Sequence, residues 1–545
     1  MHNSIHTTLQ RQSRKNNSLL VIGIALLLCS LAVLFCVGMP TMQGERISFS
    51  VDETSLHATY YSVEGSQQAV LLCGGFSSDQ QMLRPLANLF VKSGISAMTF
   101  DYSGHGRSFG TVGFDNATNG QIAKEILSAM EKLCDLSKLE EPSKNLIMVG
   151  HSMGGRSILE LFSGKTKPSC KEIILLSPQI NYDNNTQSTA FTGVNDAEVE
   201  PWKSLCANDL MNIPVTLIGS GSDDIVSTQS MTEIYNRISD RGAQKNVSLT
   251  MVDGVLHSYM PYSTQVAKGI FEHLGMPDTS AFPLAMTYGA VLVSAIALFM
   301  ILCVVNTKLE NQSETQSIVL VNYKKFIIRK IMIFIPSLIV MVMIACLAVF
   351  IPFGAPIMSI SFIGGIAGYG IISLLTYHFG KMAGVKGRLA LRCKIKHKRN
   401  LWIVIAVLVI ALLLFDFILG NCLYGLLPLN MRLFWLVVAG AVMSIGFYVG
   451  NFESDMLKNS GASLRQVFGY NVVQYLLLFL MAIGYIAIGS YSGLVGLLQN
   501  LILMYVCIFI GNIISKLTNT LVGSLATGFL FQATILTSTC LMVVF

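Results

Sequence analysis

Residues 148–157 read MVGHSMGGRS, a serine set among glycines directly after the apolar run LIMV. Gly150-His151-Ser152-Met153-Gly154 fits the pattern G-x-S-x-G, and RSILELF behind it has the composition of a helix. A strand turning sharply into a helix holds its turn serine exposed, and flanking glycines let the two backbones approach closely. Chance can supply so short a pattern in a glycine-rich chain, so its surroundings decide what it means.

Between residues 44 and 280 β-rich runs recur: RISFSV, HATYYSV, QAVLLCGG, ISAMTFDY, NLIMVG, EIILLSP, PVTLIGSG and VSLTMVDG. Helix-like segments such as QIAKEILSAMEKL and TQVAKGIFEHL separate the later ones. This alternation predicts a mostly parallel sheet covered on both faces, with the first two strands as an antiparallel hairpin at one edge. Ligands of such sheets bind beyond the carboxyl ends of the strands.

Three more loops at that edge carry suitable groups. PVTLIGSGSDDIVS (214–227) brings Asp223 and Asp224, and a carboxylate there can accept the Nδ1 proton of a histidine. MVDGVLHSYMP (251–261) brings His257, able to take a serine proton and return it to a leaving group. VLLCGGFSSD (70–79) brings the Phe76 backbone N–H, which with that of Met153 would form an oxyanion hole. Each loop alone has an ordinary reading, as a helix-capping acid pair, a surface histidine or a glycine turn. Ser152, Asp223 and His257, each after its own strand and in this order, are hard to obtain by accident.

VGHSMGG, TFDYSGHGRSFG (99–110), the turn at 219–226 and GVLH resemble the α/β-hydrolase superfamily. The resemblance is to its monoacylglycerol-lipase-like and serine-aminopeptidase-like branch and covers about residues 60–275. It implies an eight-stranded sheet and a Ser–His–Asp triad. Gly74-Gly75-Phe76 stands where the family usually reads H-G-x, which leaves the oxyanion donor open. The acid loop is one residue longer than the family's G-x-x-D-x-x-V; counting back from Ile225-Val226 favours Asp223 and keeps Asp224 as the alternative acid. Asp101, His105 and Arg107 match a turn that is structural in the family. The superfamily's lid follows the sixth strand, here residues 179–212, with Tyr182, Phe191 and Trp202 as candidate pocket lining.

The rest of the chain is of another kind. The 545 residues are 52% hydrophobic and only 12% charged, against about 25% charged in an average soluble domain. Residues 44–280 hold 17 Lys and Arg against 26 Asp and Glu, a net of −9, whereas 281–545 hold 17 against 5, a net of +12. An acidic insert in a basic membrane protein is therefore expected: residues 1–17 a cytoplasmic tail, 18–40 a transmembrane anchor, 44–280 an extracytoplasmic α/β-hydrolase domain, and 281–545 an all-α polytopic domain of about eight transmembrane helices. The later apolar runs fall at about 282–305, 331–351, 355–378, 401–420, 432–450, 468–489, 492–513 and 519–543.

Arg11, Arg14 and Lys15, the pair Lys324-Lys325, the run 381–399, Lys458 and Lys516 all fall on one side of this layout, as the positive-inside rule requires. Topology accounts for these basic runs, so nucleic acid is not expected as a partner. Asp416 is the one acid within an expected span. The twelve cysteines show no C-x-x-C or Cys/His metal spacing, so no metal or cofactor is expected, and Cys73, Cys134, Cys170 and Cys206 are taken as free thiols.

Together these point to an integral protein of a bacterial plasma membrane. Its serine hydrolase would cleave ester, acyl or peptide bonds of a small-molecule, lipid or peptide substrate. The alternatives are a transport or interaction protein with an accessory hydrolase, and an acyltransferase.

Overall fold

A computed structural model describes residues 2–112, 116–163, 168–180, 213–239, 246–310, 318–350, 354–386, 398–420, 432–518, 522–538 and 542–543. The chain opens with helix α1 (His2–Met42) and passes directly into a hairpin of β1 (Glu45–Val51) and β2 (Thr54–Tyr61). The hairpin closes at the pair Val51↔Thr54, with Asp52 taking a positive φ of 48° in the turn. Six strands follow: β3 (Ala69–Cys73), β4 (Ser96–Asp101), β5 (Leu146–His151), β6 (Glu172–Leu176), β7 (Val215–Ser220) and β8 (Val247–Val252). They form one sheet in the order β1-β2-β4-β3-β5-β6-β7-β8. The pairs β1–β2 and β2–β4 are antiparallel and the rest parallel, so the expected edge hairpin and mostly parallel sheet are present.

The apolar runs of the central strands bury both faces of the sheet, because alternate residues point to opposite sides. Leu71, Met148, Leu175 and Leu217 pack under α3 (Asn116–Ser137), α4 (Met153–Ser163) and α5 (Thr228–Ile238). Leu72, Val149, Leu176 and Ile218 pack under α2 (Arg84–Lys92) and α6 (Thr264–His273). Strands β4 and β5 lie on opposite sides of β3, and Cys73 pairs with Gly150. The loops leaving β3 and β5 therefore diverge from a common point, where such sheets open a crevice. The arrangement is an α/β-hydrolase fold. Cys73, Cys134 and Cys170 are free thiols, and Cys206 lies outside the described residues.

Among the described residues the helical part comprises α1 and nine later helices: α7 (Phe282–Glu310), α8 (Tyr323–Val349), α9 (Ile357–His378), α10 (Lys398–Leu419), α11 (Arg432–Asn459), α12 (Leu464–Gln474), α13 (Leu476–Ala487), α14 (Tyr491–Thr518) and α15 (Val522–Ser538). Among the described residues six segments are long and apolar enough to cross a membrane: Asn16–Met42, Phe282–Leu309, Tyr323–Ile344, Leu401–Leu419, Arg432–Asn459 and Tyr491–Thr518. The pair α12–α13, bent by 71°, makes a seventh if it is one span. The runs expected at 355–378 and 519–543 contain α9 and α15. Small residues bring these helices close: a Cβ on Gly370 would run into the backbone of Gly446, joining α9 to α11. Ser30 of α1 and Ser294 of α7 share a buried hydroxyl hydrogen bond of 2.7 Å.

Two expectations need correction. Helix α11 runs to Asn459, not to residue 450, and so contains Glu453; helix α8 begins at Tyr323, ahead of the run expected at 331–351, and so contains Lys330. Asp416 is therefore not the one acid in a long helix. Lys330 and Glu453 are fully buried and paired, Nζ to Oε1, at 2.9 Å. Lys330 Nζ also donates to Ser373 Oγ at 2.8 Å and lies 4.1 Å from the centre of the Tyr369 ring. Glu453 accepts from the hydroxyls of Tyr377 and Tyr470, each at 2.8 Å. Scanning for apolar runs ends a span at its first charge, yet a charge whose partners are all supplied is tolerated in the interior.

Removing one member of this pair leaves the other charged and unmatched. Lys330→Met or Glu453→Leu alone should each destabilise the protein by about 3–5 kcal/mol, and the double variant should regain much of the loss. Thermal melting in detergent measures this. Single variants that melt like the wild type would rule out a stabilising pair.

Candidate active site

The turn between β5 and α4 places Ser152 at φ +53°, a left-handed conformation rare for a residue with a Cβ. Its glycines are required by contact. A Cβ on Gly150 would lie 2.7 Å from Gly155 Cα, and one on Gly154 would lie 2.5 Å from the carbonyl oxygens of Cys73 and Gly74. The Ser152 N–H donates to the Leu176 carbonyl at 3.0 Å, and the Ser152 carbonyl accepts from the N–H groups of Arg156 and Gln179 at 3.0 Å. The next strand over thus ties the turn in place.

His257 begins a short 3-10 turn (His257–Tyr262) after β8. Its Nε2 lies 2.7 Å from Ser152 Oγ, and its Nδ1 lies 3.1 and 3.0 Å from the two carboxylate oxygens of Asp223. An ionised carboxylate only accepts, so the proton sits on Nδ1 and Nε2 is free to accept from the serine hydroxyl. Asp223 Oδ1 also accepts from the N–H groups of Ile225 (2.8 Å) and Val226 (2.7 Å). Burial alone would raise the Asp223 carboxyl, but His257 and these two donors outweigh it and hold it below its usual range. The structure thus brings Ser152, His257 and Asp223 into one line.

The backbone of His257 is held as firmly as its ring. Its N–H donates to Asp224 Oδ1 at 3.2 Å, and its carbonyl accepts from His151 Nε2 at 3.0 Å. Asp224 also accepts from the Ser492 N–H and hydroxyl, both at 2.7 Å. It faces away from the imidazole. Sequence reading missed His151 and Ser492. His151 occupies the variable position of G-x-S-x-G, whose side-chain direction the motif leaves open, and Ser492 stands far away in an apolar run.

The loop after β3 passes against the serine, since a Cβ on Gly75 would come within 3.1 Å of both Ser152 Cβ and His151 Nδ1. Phe76 follows in that loop, and Met153 opens α4 beside it. His105 steadies this loop: Nδ1 donates to the Ser103 carbonyl at 3.0 Å, while Nε2 accepts from the Ser77 N–H at 3.2 Å. Asp101 accepts from the Gln80 N–H (2.7 Å), Gln80 Nε2 (2.8 Å) and the Arg107 N–H (3.0 Å). These residues brace the site without pointing at the serine. Tyr182, Phe191 and Trp202 lie outside the described residues. Among the described residues no three of His, Cys, Asp and Glu gather as metal ligands would.

The carboxyl edge of the sheet is turned toward the helical part. Arg432 of α11 donates to the Gly104 carbonyl at 2.6 Å, and Met542 exchanges backbone hydrogen bonds with Gly104 (3.0 Å) and Val112 (2.9 Å). Arg84 reaches the Gly420 carbonyl at 2.9 Å, and Asn88 reaches that of Val37 at 2.7 Å.

Residues 64–210 match the family model described as serine aminopeptidase, S33. With the sheet order this makes the unit an α/β hydrolase, of the serine hydrolase kind. Solved structures similar to it include an esterase from Pyrococcus furiosus at 20% identity, covering 43% of this chain and 92% of that one with a TM-score of 0.34. A soluble variant of monoglyceride lipase from Saccharomyces cerevisiae is 16% identical over 44% of this chain and 96% of that one, with a TM-score of 0.33. No curated protein matches the chain.

Burial pushes His151 down to about 3, helped by the neighbouring His257, and pushes His105 down to about 4. Both are neutral in the folded protein and protonate near 6.5 when it unfolds. The unfolded state therefore binds more protons as pH falls below about 6.5, and each histidine withdraws about 1.4 kcal/mol of stability per pH unit down toward its folded value. Denaturant unfolding between about pH 7.5 and 5 should show a shallower loss for His105→Gln than for the wild type. Equal slopes would contradict a buried neutral His105.

Proposed function

We propose that the chain is a membrane-mounted serine hydrolase that cleaves acyl esters through Ser152, His257 and Asp223. One observation carries the reading: the 2.7 Å contact between Ser152 Oγ and His257 Nε2, on a ring whose other nitrogen is held by buried Asp223. The hydroxyl oxygen attacks the ester carbonyl while His257 takes its proton. The N–H groups of Met153 and Phe76 receive the oxyanion, at a helix start where backbone donors point outward. The intermediate collapses to an acyl-enzyme as His257 protonates the leaving alcohol. Water, deprotonated by the same ring, then releases the acid and restores the serine.

The position of the site supports a bilayer source for the ester. The turn at Gly104 and the loops of Asp224 and His257 all border the apolar helices, so substrate held at that edge lies beside the region read as membrane. Large exposed side chains on the apolar helices, such as Ile335, Leu347 and Leu413, each about two-thirds exposed, fit a lipid environment. The distribution of basic residues supports a position of residues 44–280 outside the cytoplasm.

A second reading, transport, has an observation of its own. The break between α12 and α13 borders a cavity lined by Gln474, Tyr475, Ser337 and Tyr369, next to the Lys330–Glu453 pair. Broken helices and buried ion pairs recur in transporters. A solute flux that survives Ser152→Ala would favour it.

Labelling of intact membranes by a fluorophosphonate probe tests the main reading. Wild type should label and Ser152→Ala should not. Asp223→Asn should lower kcat on an acyl ester by roughly 10³- to 10⁴-fold, because the histidine loses its held tautomer. Labelling that persists in Ser152→Ala would end the assignment.

A further inference from the structure

Four contacts pin His257: Ser152 and Asp223 hold the two ring nitrogens, His151 the backbone carbonyl, and Asp224 the backbone N–H. Three of these anchors belong wholly to the α/β unit. The fourth does not. Asp224, only 9% exposed, takes its two shortest hydrogen bonds from Ser492 in the first turn of α14, at 2.7 Å each. The same serine hydroxyl accepts from the N–H of Ser258 at 3.4 Å. The loop carrying the histidine is thus fastened to a helix of the apolar region directly at Ser258 and, through Asp224, at His257.

We propose that Ser492 is a positioning residue of the hydrolase, supplied by the helical part: it orients Asp224, and through Asp224 the backbone of His257. This rests on the reading of Ser152, His257 and Asp223 as the reacting set. A buried carboxylate keeps its place only where donors surround it. Asp224 has three donors, two from Ser492 and one from His257 itself. Without the serine hydroxyl, the aspartate has less to hold it and the His257 N–H loses a fixed acceptor. The ring stands between two partners at 2.7 and 3.0 Å, and a displacement of about an ångström lengthens both contacts and slows proton transfer. The helical part therefore takes part in catalysis through a hydrogen bond, in addition to mounting the enzyme. Helix α14 runs from this contact to Lys516, whose ammonium donates to the Asn306 carbonyl of α7 at 3.1 Å. Its position is thereby set at both ends.

The test uses full-length protein in detergent, p-nitrophenyl butyrate as substrate, and active sites counted by phosphonate titration. Ser492→Ala should lower kcat per active site about tenfold with little change in KM, the size of a lost hydrogen bond to a charged group. Ser492→Thr, which keeps the hydroxyl, should restore most of the rate. Asp224→Asn should lower kcat similarly, and the double variant should be no worse than the single ones, because both act through one contact. A merely structural serine would change the melting temperature and leave kcat per titrated site untouched; that result overturns the proposal. Multiplicative losses in the double variant overturn it as well. Hydrolysis that survives Ser152→Ala would instead overturn the underlying enzymatic reading, so the two failures are distinguishable.

Discussion

Ser152 stands at φ +53°, where an L-residue costs of order 1–3 kcal/mol, and the α/β unit is arranged to hold it there. Gly150 and Gly154 remove the side chains that would collide with Gly155 and with the end of β3. The Leu176 carbonyl anchors the serine N–H from the neighbouring strand. A turn of this kind aims a hydroxyl out of the sheet and puts the first N–H groups of a helix beside it. Strain, proposed nucleophile and proposed oxyanion donors are then one local feature. It survives because the parallel strands on either side are buried on both faces and cannot relax.

Around this point the polar side chains are fixed by pairing. The histidine has all four of its hydrogen-bonding groups engaged, and Asp223 and Asp224 grip it from adjacent positions for different purposes. His105 and Asp101 do equivalent work on the opposite wall, fastening the loop of Gly75 and Phe76. Interior polar groups are costly when unmatched and rigid when matched, so this network makes the site stiff. The same principle operates far away in the helices, where Lys330 and Glu453 are tolerated because serine and tyrosine hydroxyls complete their shells.

Much of this was legible in the chain. Period-two and continuous apolar runs marked every strand of the sheet, and the glycines around Ser152 marked the turn, because these patterns record local geometry. The positions of Ser152, Asp223 and His257 after their strands were readable for the same reason. Glu453 and Lys330 were misplaced because charge was read as a helix boundary, and a one-dimensional scan has no access to the partner that neutralises it. His151 was in plain view inside the motif, yet only the packed site shows that its ring supports a carbonyl of the histidine loop.

The sequence by itself determined the order of strands and helices, the elbow, the three residues brought together at the carboxyl edge and the apolar character of the remaining helices. All of these depend on neighbours a few residues apart or on side-chain type. Tertiary structure alone decided that the neighbouring Asp224 turns to Ser492, 268 positions further along the chain. It also decided that the edge carrying Ser152 and His257 faces the apolar helices. Such contacts join segments whose separation carries no periodic signal, and only the packing of both parts sets their distance.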